Sequence, residues 1–183
     1  MDCEQRMRSV FIVTGPAGVG KSTAAGIVAR SLEKSALLTG DAIYHFVVGG
    51  RIDAGTPGEI ALPYYNLLYR NLISLTENNL AFGNDVVVDY ILDYRTILSL
   101  IRQVRNPAVW HYSVLVASEA KIQSRDAERL PSDRCWPRSL EHLTYLTRDC
   151  PSEYVIRTDE LAPTEVARLV VNAPPLPHGA PHF

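Results

Sequence analysis

The stretch GPAGVGKS, residues 15–22, decides the fold, because it fits the pattern G-x-x-x-x-G-K-[ST]. It follows a β-branched apolar run, Val10–Thr14, that predicts a buried strand, and it opens KSTAAGIVARSL at 21–32, whose spacing predicts a helix. This strand–turn–helix context is typical of a phosphate-binding loop. The alternatives are a glycine-rich turn without a ligand and a dinucleotide-binding turn, but GPAGVG does not fit G-x-G-x-x-G.

Each part of this loop has a predicted role. Its glycines let successive backbone N–H groups point at a phosphate, and the helix that follows adds its positive N-terminal end. Lys21 is expected to bridge the outer phosphates, and Ser22 is expected to offer its hydroxyl to Mg²⁺. The predicted nucleotide contacts of the loop are Gly15, Pro16, Ala17, Gly18, Val19, Gly20, Lys21, Ser22 and Thr23.

The rest of the chain alternates between strand and helix patterns. Strands are predicted at 10–14, 36–39, 85–89, 109–116 and 154–157. Helices are predicted at 21–32, from 41 to the Gly49–Gly50 break, at 59–82 with Pro63 marking the true start, and at 93–105, 118–129, 138–149 and 163–171. Five strands alternating with helices imply parallel pairing and a three-layer α/β domain.

Length and composition bound the remaining possibilities. The 183 residues indicate one domain, predicted at 1–172, and a Pro-rich tail at 173–183 that we expect to be mobile. A net charge of −2 provides no field that would recruit nucleic acid or an anionic membrane. The 3 cysteines lack metal-site spacing, and no apolar run is long enough for a membrane span. We therefore expect a cytoplasmic protein with a small-molecule partner, either a monomer or a homodimer.

Two acids follow predicted strands. Asp41 closes the second strand (LLTGD), and ligands bind at the carboxyl ends of such strands. It is predicted to accept the proton of an attacking substrate hydroxyl, with a helix N-cap as the alternative. Asp89 closes the third strand (DVVVD), the Walker B arrangement in which an acid helps to hold the metal, and a capping role is again the alternative.

Arginines and aromatic residues supply further candidates. Arg125 and Arg129 lie four apart on one helix face, Arg134 follows in a Pro-bounded loop, and all three are predicted to contact the nucleotide unless they form a solvated charged face. Polar and aromatic groups are expected to border the acceptor side of the crevice. The predicted acceptor-site residues are Asp41, His45, Arg51 and Tyr90, and the other bordering groups are Tyr44, Tyr64, Tyr65, Arg70 and Arg95.

The segments VFIVTGPAGVGKST, LLTGDAIYH, VVVDY and RDAER together resemble the small P-loop kinases of the nucleoside monophosphate kinase fold. The likeness covers about residues 9–172 and is strongest to the gluconate-kinase-like and chloramphenicol-phosphotransferase-like branch. It implies a five-stranded parallel sheet of order 2-3-1-4-5 and the use of ATP with Mg²⁺. It also implies that Asp41 is the catalytic base, that Arg125 stacks on adenine, and that Arg129 and Arg134 are lid arginines.

The sequence departs from this family in two places. The lid, at about 130–137, is short and has no pair of zinc-binding cysteines, and Ile43 stands where shikimate kinase has the second acid of Asp-x-Asp. The main hypothesis is an ATP-dependent phosphotransferase that acts on a hydroxyl of a small polar metabolite or an antibiotic, with Lys21, Asp41 and Arg129 as catalytic residues. The alternatives are a kinase of nucleosides or nucleotides, in which Arg51 or Arg70 would bind an extra phosphate, and a nucleotide-binding regulatory module.

Overall fold

The apolar β-branched runs form strands, and the alanine-rich and amphipathic stretches between them form helices. The computed structural model describes residues 6–52, 56, 58–131 and 134–177. The strands are β1 (Arg8–Thr14), β2 (Ser35–Thr39), β3 (Asp85–Asp89), β4 (Ala108–Val116) and β5 (Val155–Arg157). The helices are α1 (Lys21–Ser31), α2 (Gly40–Tyr44), α3 (Gly58–Ala81), α4 (Tyr94–Ile101), α5 (Glu119–Ala127), α6 (Arg138–Thr147) and α7 (Pro163–Val171).

The five strands form one parallel sheet in the order β2-β3-β1-β4-β5. This confirms both the predicted α/β class and the strand order that the family resemblance implies. Because all strands run in the same direction, their carboxyl ends meet at one edge of the sheet. Thr39 is paired with Asp89, and Val13 is also paired with Asp89, so the turns that follow β1, β2 and β3 lie side by side.

The sheet is covered on both faces, which makes the domain three-layered. Along β1, Val10 and Ile12 belong to a core built with residues of α3, α4 and α6, whereas Phe11 and Val13 belong to a core built with residues of α1 and α7. Successive side chains of a strand point to opposite faces, so a strand buried on both faces has to be apolar throughout. The uninterrupted apolar run that predicts β1 has this cause.

Three helix boundaries differ from the sequence-based prediction by several residues, and one of them is the end of α4, which lies at Ile101 and not at residue 105. Helix α3 begins at Gly58, so Pro63 lies inside the helix and does not mark its start. Proline removes the hydrogen bond to the carbonyl four residues earlier, that of Glu59, and Glu59 is exposed to water that can replace this bond. Helix α2 ends at Tyr44, before the predicted Gly49–Gly50 break.

The predicted mobile tail also differs in its first part. The backbone N–H of Leu176 donates to the carbonyl of Trp110 on β4 (2.7 Å), and His111 forms an antiparallel bridge with Pro175. Leu176 is buried, so residues 173–177 are anchored by both apolar packing and a backbone bond, while 178–183 lie outside the described residues. In the part of the chain that the structure describes, no helix has the length and apolar character needed to cross a membrane.

Candidate active site

The loop at 15–22 is held tightly between β4 and α5. A Cβ atom on Gly15 would lie 2.6 Å from the carbonyl oxygen of Leu115, and one on Gly18 would lie 3.0 Å from the carbonyl oxygen of Ile122. Both glycines also have positive φ angles, +153° and +83°. Only glycine meets both demands, because it has no Cβ and adopts positive φ without strain. The loop backbone is thereby curled as a phosphate-binding loop requires.

The start of α1 and the end of β3 meet beside this loop. Ser22 hydrogen-bonds to the carboxylate of Asp89 through its hydroxyl, which donates. Burial raises the pKa of Asp89, while the bond from Ser22 and the positive charge of Lys21 act to lower it and the negative charge of Asp41 acts to raise it. The structure therefore brings together four side chains that the sequence predicts for the phosphate end of the site.

The same carboxylate indicates where Mg²⁺ fits. Asp89 is 4% exposed, and its Oδ1 atom is buried without a hydrogen-bond partner. A buried unpaired oxygen is unfavourable unless a ligand satisfies it. Across the described ranges, no group of three or more His, Cys, Asp and Glu side chains is placed to hold a metal. One carboxylate and one hydroxyl nevertheless suit Mg²⁺, which takes few protein ligands and keeps waters and substrate phosphates as the others.

A cavity of about 470 Å³ opens above the loop and extends toward α5 and the segment between β5 and α7. Arg125 forms one of its walls, where its guanidinium donates to the carbonyl oxygens of Val19 (3.1 Å) and Thr158 (3.4 Å). Sequence analysis did not identify Leu161, Pro163 and Val166, which the fold brings to the cavity. The lining residues are Ala17, Gly18, Val19, Gly20, Lys21, Ser22, Thr23, Ala24, Arg125, Arg129, Thr158, Leu161, Pro163 and Val166.

The lid segment is organised by a buried acid that sequence analysis did not identify as functional. The carboxylate of Asp126, on α5, accepts hydrogen bonds from the backbone N–H groups of Cys135 (3.1 Å) and Trp136 (3.0 Å). It also pairs with Arg129, a residue of the cavity wall, at 3.5 Å. Burial opposes ionisation of Asp126, but these hydrogen bonds and the charge of Arg129 hold its pKa below the usual value. Asp126 thus ties Arg129 and the described lid residues together.

Arg134 is not brought to the cavity with the other two arginines. Its guanidinium donates to the carbonyls of Ala127 (2.8 Å) and Arg129 (3.3 Å), at the C-terminal end of α5. Cations are favourable at this negative end of a helix. In the conformation described, Arg134 therefore stabilises the end of α5, while Arg125 and Arg129 face the cavity.

Helix α6 adds two groups that the sequence-based reasoning missed. Burial lowers the pKa of His142, and the positive charges of Arg138 and Lys21 lower it further. His142 therefore lies near the lysine of the phosphate-binding loop, although 121 positions separate the two in the chain. Arg138 and His142 are four apart and share one helix face. That spacing is a weak local signal, and only the tertiary fold shows that this face is turned toward Lys21.

The four predicted acceptor-site residues differ in their contacts and in their distance from the phosphate-binding loop. Asp41 is exposed in the first turn of α2, and its charge raises the pKa of both Asp89 and Tyr90. Tyr90 packs against Gly40 so closely that a Cβ there would lie 2.2 Å from its ring. His45 contacts the backbone carbonyl of Asp41 through Nδ1 (2.6 Å) and not the carboxylate. Arg51 is exposed on the loop after α2, away from the cavity lining.

The turn that follows β3 is held by hydrogen bonds to side chains of β1 and β4. The backbone N–H of Leu92 donates to Thr14 Oγ1 (3.0 Å), and the Tyr112 hydroxyl donates to the carbonyl of Leu92 (2.7 Å). Asp93, one residue later, caps α4 by accepting from the backbone N–H groups of Arg95 (3.0 Å) and Thr96 (3.1 Å). Asp93 is therefore the N-cap of α4.

The architecture is that of the P-loop nucleotide-binding proteins. Within that class, the strand order and the solved structures of similar fold identify the nucleoside monophosphate kinase-like fold, as the family resemblance implies. No family model and no curated protein matches the sequence. The likeness is therefore visible in the three-dimensional structure, where many solved structures match.

Three of these structures show the extent of the likeness. A sugar kinase from a Janibacter species is 19% identical with a TM-score of 0.63, and the match covers 91% of this chain and 94% of that one. A gluconokinase from Sinorhizobium meliloti is 17% identical with a TM-score of 0.59, covering 93% of each chain. An APS kinase from Mycobacterium tuberculosis, solved with AMPPNP and APS, is 18% identical with a TM-score of 0.61, covering 92% and 97%. At these identities the likeness establishes the fold.

Proposed function

We propose that the protein is an ATP-dependent phosphotransferase that moves the γ-phosphoryl group to a hydroxyl of a small polar metabolite or an antibiotic. The observation that carries the proposal is the position of Asp41. This exposed carboxylate lies in the first turn of α2, two residues after Thr39, and Thr39 pairs with the buried Asp89 at the end of β3, so both acids lie at the same edge of the sheet. A carboxylate next to a phosphate-binding loop is placed where an acceptor hydroxyl would meet the γ-phosphoryl group.

Different residues would bind the phosphates, the rest of the nucleotide and Mg²⁺. The loop backbone and Lys21 would bind the phosphates, and the guanidinium groups of Arg125 and Arg129 line the cavity that would hold the rest of the nucleotide. Ser22 and Asp89 would hold Mg²⁺, which neutralises charge on the β- and γ-phosphate oxygens when it is bound. Arg125 is held by the carbonyls of Val19 and Thr158, and Arg129 is held by Asp126, so these two groups need little reorganisation when a ligand arrives.

In the transfer step, the acceptor oxygen forms a bond to the γ-phosphorus while the bond from that phosphorus to the β,γ-bridging oxygen breaks. Asp41 takes the proton of the hydroxyl, and ADP leaves with the electron pair of the broken bond. Arg129, which pairs with Asp126, would stabilise the charge on the transferring group. The sugar kinase, gluconokinase and APS kinase of similar fold support phosphotransfer as the class of reaction.

The test is ADP release from Mg-ATP across sugar acids, polyols, amino sugars, nucleosides and aminoglycoside or phenicol antibiotics, with Lys21→Ala as the blank. We expect one compound class to stimulate release above the substrate-free rate and to gain one phosphate by mass spectrometry. Binding of ATP with slow hydrolysis that no compound stimulates would contradict the proposal and favour a nucleotide-binding regulatory module.

The role of Asp41 is tested separately. Asp41→Asn is expected to abolish transfer while ATP affinity changes little, because the residue does not line the nucleotide cavity. Glu33→Gln is the matched control, since Glu33 is an exposed acid that precedes β2, at the opposite edge of the sheet. Normal turnover by Asp41→Asn would rule out Asp41 as the base.

A further inference from the structure

The first half of α3 carries apolar side chains on the side of the helix that faces water. The other side is buried, with Leu68 and Leu72 in the core beneath the helix. On the water side, Ile60 is 57% exposed, Leu67 is 43% exposed, and Pro63 between them is also exposed. Positions three and four apart lie on one side of a helix, so these three residues form a continuous strip. We call Ile60, Pro63 and Leu67 the α3 stripe.

The second half of the same helix differs on the side that faces water. The spacing that defines the α3 stripe continues to Arg70, Ser74 and Asn78, which are all exposed and all polar. A helix side that contacts only water is normally polar. The apolar character of residues 60–67 is therefore a local feature, and it is typical of a surface that packs against another protein surface.

A loop beside the α3 stripe enlarges this apolar surface. The hydroxyl of Tyr64, which lies one turn after Ile60, donates to the carbonyl of Gly50 (2.6 Å) and so holds the loop that follows α2 against the helix. Two apolar side chains of this loop are exposed, Phe46 at 64% and Val48 at 88%. A stable interface buries about 800 Å² on each partner, which is more than three side chains provide, so the loop is expected to take part.

One acid and one base lie beside the α3 stripe, at its two ends. Glu59 comes directly before the stripe and Arg70 comes after it. Their separation of eleven residues is close to three helical turns, so both project from the same side of α3, about 16 Å apart along its axis. Both are exposed, and within the described ranges neither forms an ion pair.

Opposite charges at the two ends make this surface complementary to itself. A two-fold axis brings identical surfaces together, so that a residue before the axis meets one after it when the two helices run antiparallel. An axis between residues 63 and 64 places Ile60 opposite Leu67 of the second copy, and Glu59 near Arg70 of the second copy. By symmetry, each of these contacts forms twice. In a parallel pair of helices, Glu59 and Arg70 would stay about 16 Å apart in height and could not meet.

We propose that the protein forms a homodimer in which the α3 stripes of two copies pack antiparallel, with Phe46 and Val48 at the edge of the interface. The charge pattern supports a second copy as the partner, because each end of the stripe is complementary to the other end of the same surface. The cavity of the candidate active site is lined by residues from the phosphate-binding loop, α1, α5 and the region from β5 to α7. The proposal is therefore independent of the proposed function.

Sedimentation velocity of the full-length protein, at concentrations from about 1 to 200 μM, tests the proposal. We expect the mass of two chains. Leu67→Glu would bury a charge in the interface of each copy and is expected to weaken the dimer by about a hundredfold or more. Because Leu67 is exposed in the single chain, the variant is expected to keep the thermal unfolding of a folded protein.

Leu169→Glu is the matched control for this measurement. Leu169 is also an exposed leucine (39%) on a helix, but α7 packs on the opposite face of the sheet from α3. This variant is expected to remain a dimer. A monomeric wild-type protein, a dimer that Leu67→Glu leaves intact, or equal dissociation by both substitutions would overturn the proposal.

Charge reversal tests the antiparallel arrangement and changes only exposed side chains. Glu59→Arg and Arg70→Glu are each expected to weaken the dimer about tenfold, because each replaces two attractive contacts by two repulsive ones. Combining the two substitutions restores opposite charges across the interface, so the double variant is expected to recover the wild-type dissociation constant to within about threefold. A double variant that is as weak as the two single variants would overturn the antiparallel pairing of α3.

Discussion

The hydroxyl of Ser22 donates a hydrogen bond to the carboxylate of Asp89 and joins the first turn of α1 to the end of β3. The two residues lie 67 positions apart and are brought together because β1 and β3 are adjacent, parallel strands. The remaining oxygen of Asp89, Oδ1, is buried and without a partner. The protein therefore keeps an unfavourable buried charge at the position where a metal-bound nucleotide would satisfy it.

Asp89→Asn is expected to stabilise the metal-free protein while weakening its response to Mg²⁺. Burial raises the pKa of Asp89 above 3.8, so the folded protein binds this proton more tightly than the unfolded chain, and ionised Asp89 lowers stability as the pH rises from about 4. The variant escapes this loss, but its Mg²⁺-dependent gain in nucleotide affinity should fall by about tenfold. Thermal unfolding with EDTA across pH 4–8, and Mg²⁺ titration of AMPPNP binding, measure the two effects. An unchanged Mg²⁺ dependence would contradict the assignment.

Asp126→Asn is expected to destabilise the protein by about 1–3 kcal/mol, because the N–H groups of Cys135 and Trp136 lose the charged acceptor that the buried carboxylate provides. The pKa of Asp126 is held below 3.8, so its contribution is present at neutral pH and is lost as the pH falls through that lowered pKa. Denaturant unfolding at pH 7 and near pH 3 should show a smaller difference from wild type at the lower pH. Glu128→Gln, an exposed acid at the end of the same helix, is the control, and an equal effect in it would contradict the prediction.

Gly40→Ala is expected to destabilise the protein by about 1–3 kcal/mol, because the new methyl group would lie 2.2 Å from the Tyr90 ring. The displaced ring should also weaken acceptor binding while nucleotide affinity is retained. Gly49→Ala is a suitable control, since nothing lies within 4 Å of its added Cβ. Chemical denaturation of the two variants provides the comparison, and equal stability of both would show that the Tyr90 ring yields without cost.

Arg125→Gln is expected to weaken nucleotide binding by about tenfold, because its guanidinium lines the cavity and braces the loop carbonyl of Val19 against that of Thr158. Lys121→Gln removes a positive charge one turn earlier from an exposed position on the same helix and should have little effect. Calorimetric titration with AMPPNP and Mg²⁺ distinguishes the two, and similar affinities would indicate a charge effect of the whole helix rather than a contact.

The features that the sequence predicts well are those with a local signal. The loop at 15–22 has its glycine spacing, and β1 and β3 have uninterrupted apolar runs because both of their faces are buried. Asp41 and Asp89 are found because each lies at or just after the carboxyl end of a predicted strand, where ligands bind in such sheets. Local patterns thus define the fold and the phosphate end of the site before any tertiary contact is known.

The features that the sequence does not reveal depend on contacts between distant segments. Asp126 reads as one acid in a balanced run of charges, and its buried position follows only from the path of the chain through Cys135 and Trp136. Arg134 belongs to the same run, and its carbonyl contacts at the end of α5 draw it away from the cavity. His142 likewise lies near Lys21 only because α6 packs on the sheet.

The two hydrogen bonds that hold the backbone of Leu92 limit how the site can move. Thr14, which holds its N–H, is the residue directly before the phosphate-binding loop, and Tyr112, which holds its carbonyl, stands on the neighbouring central strand. The turn after β3 is thus tied by hydrogen bonds to the same two strands that carry the phosphate-binding loop, so we expect the two to move together as one body. A movement that brings the two substrates closer together would therefore have to come from the elements outside the sheet, which are α2, α6 and the lid.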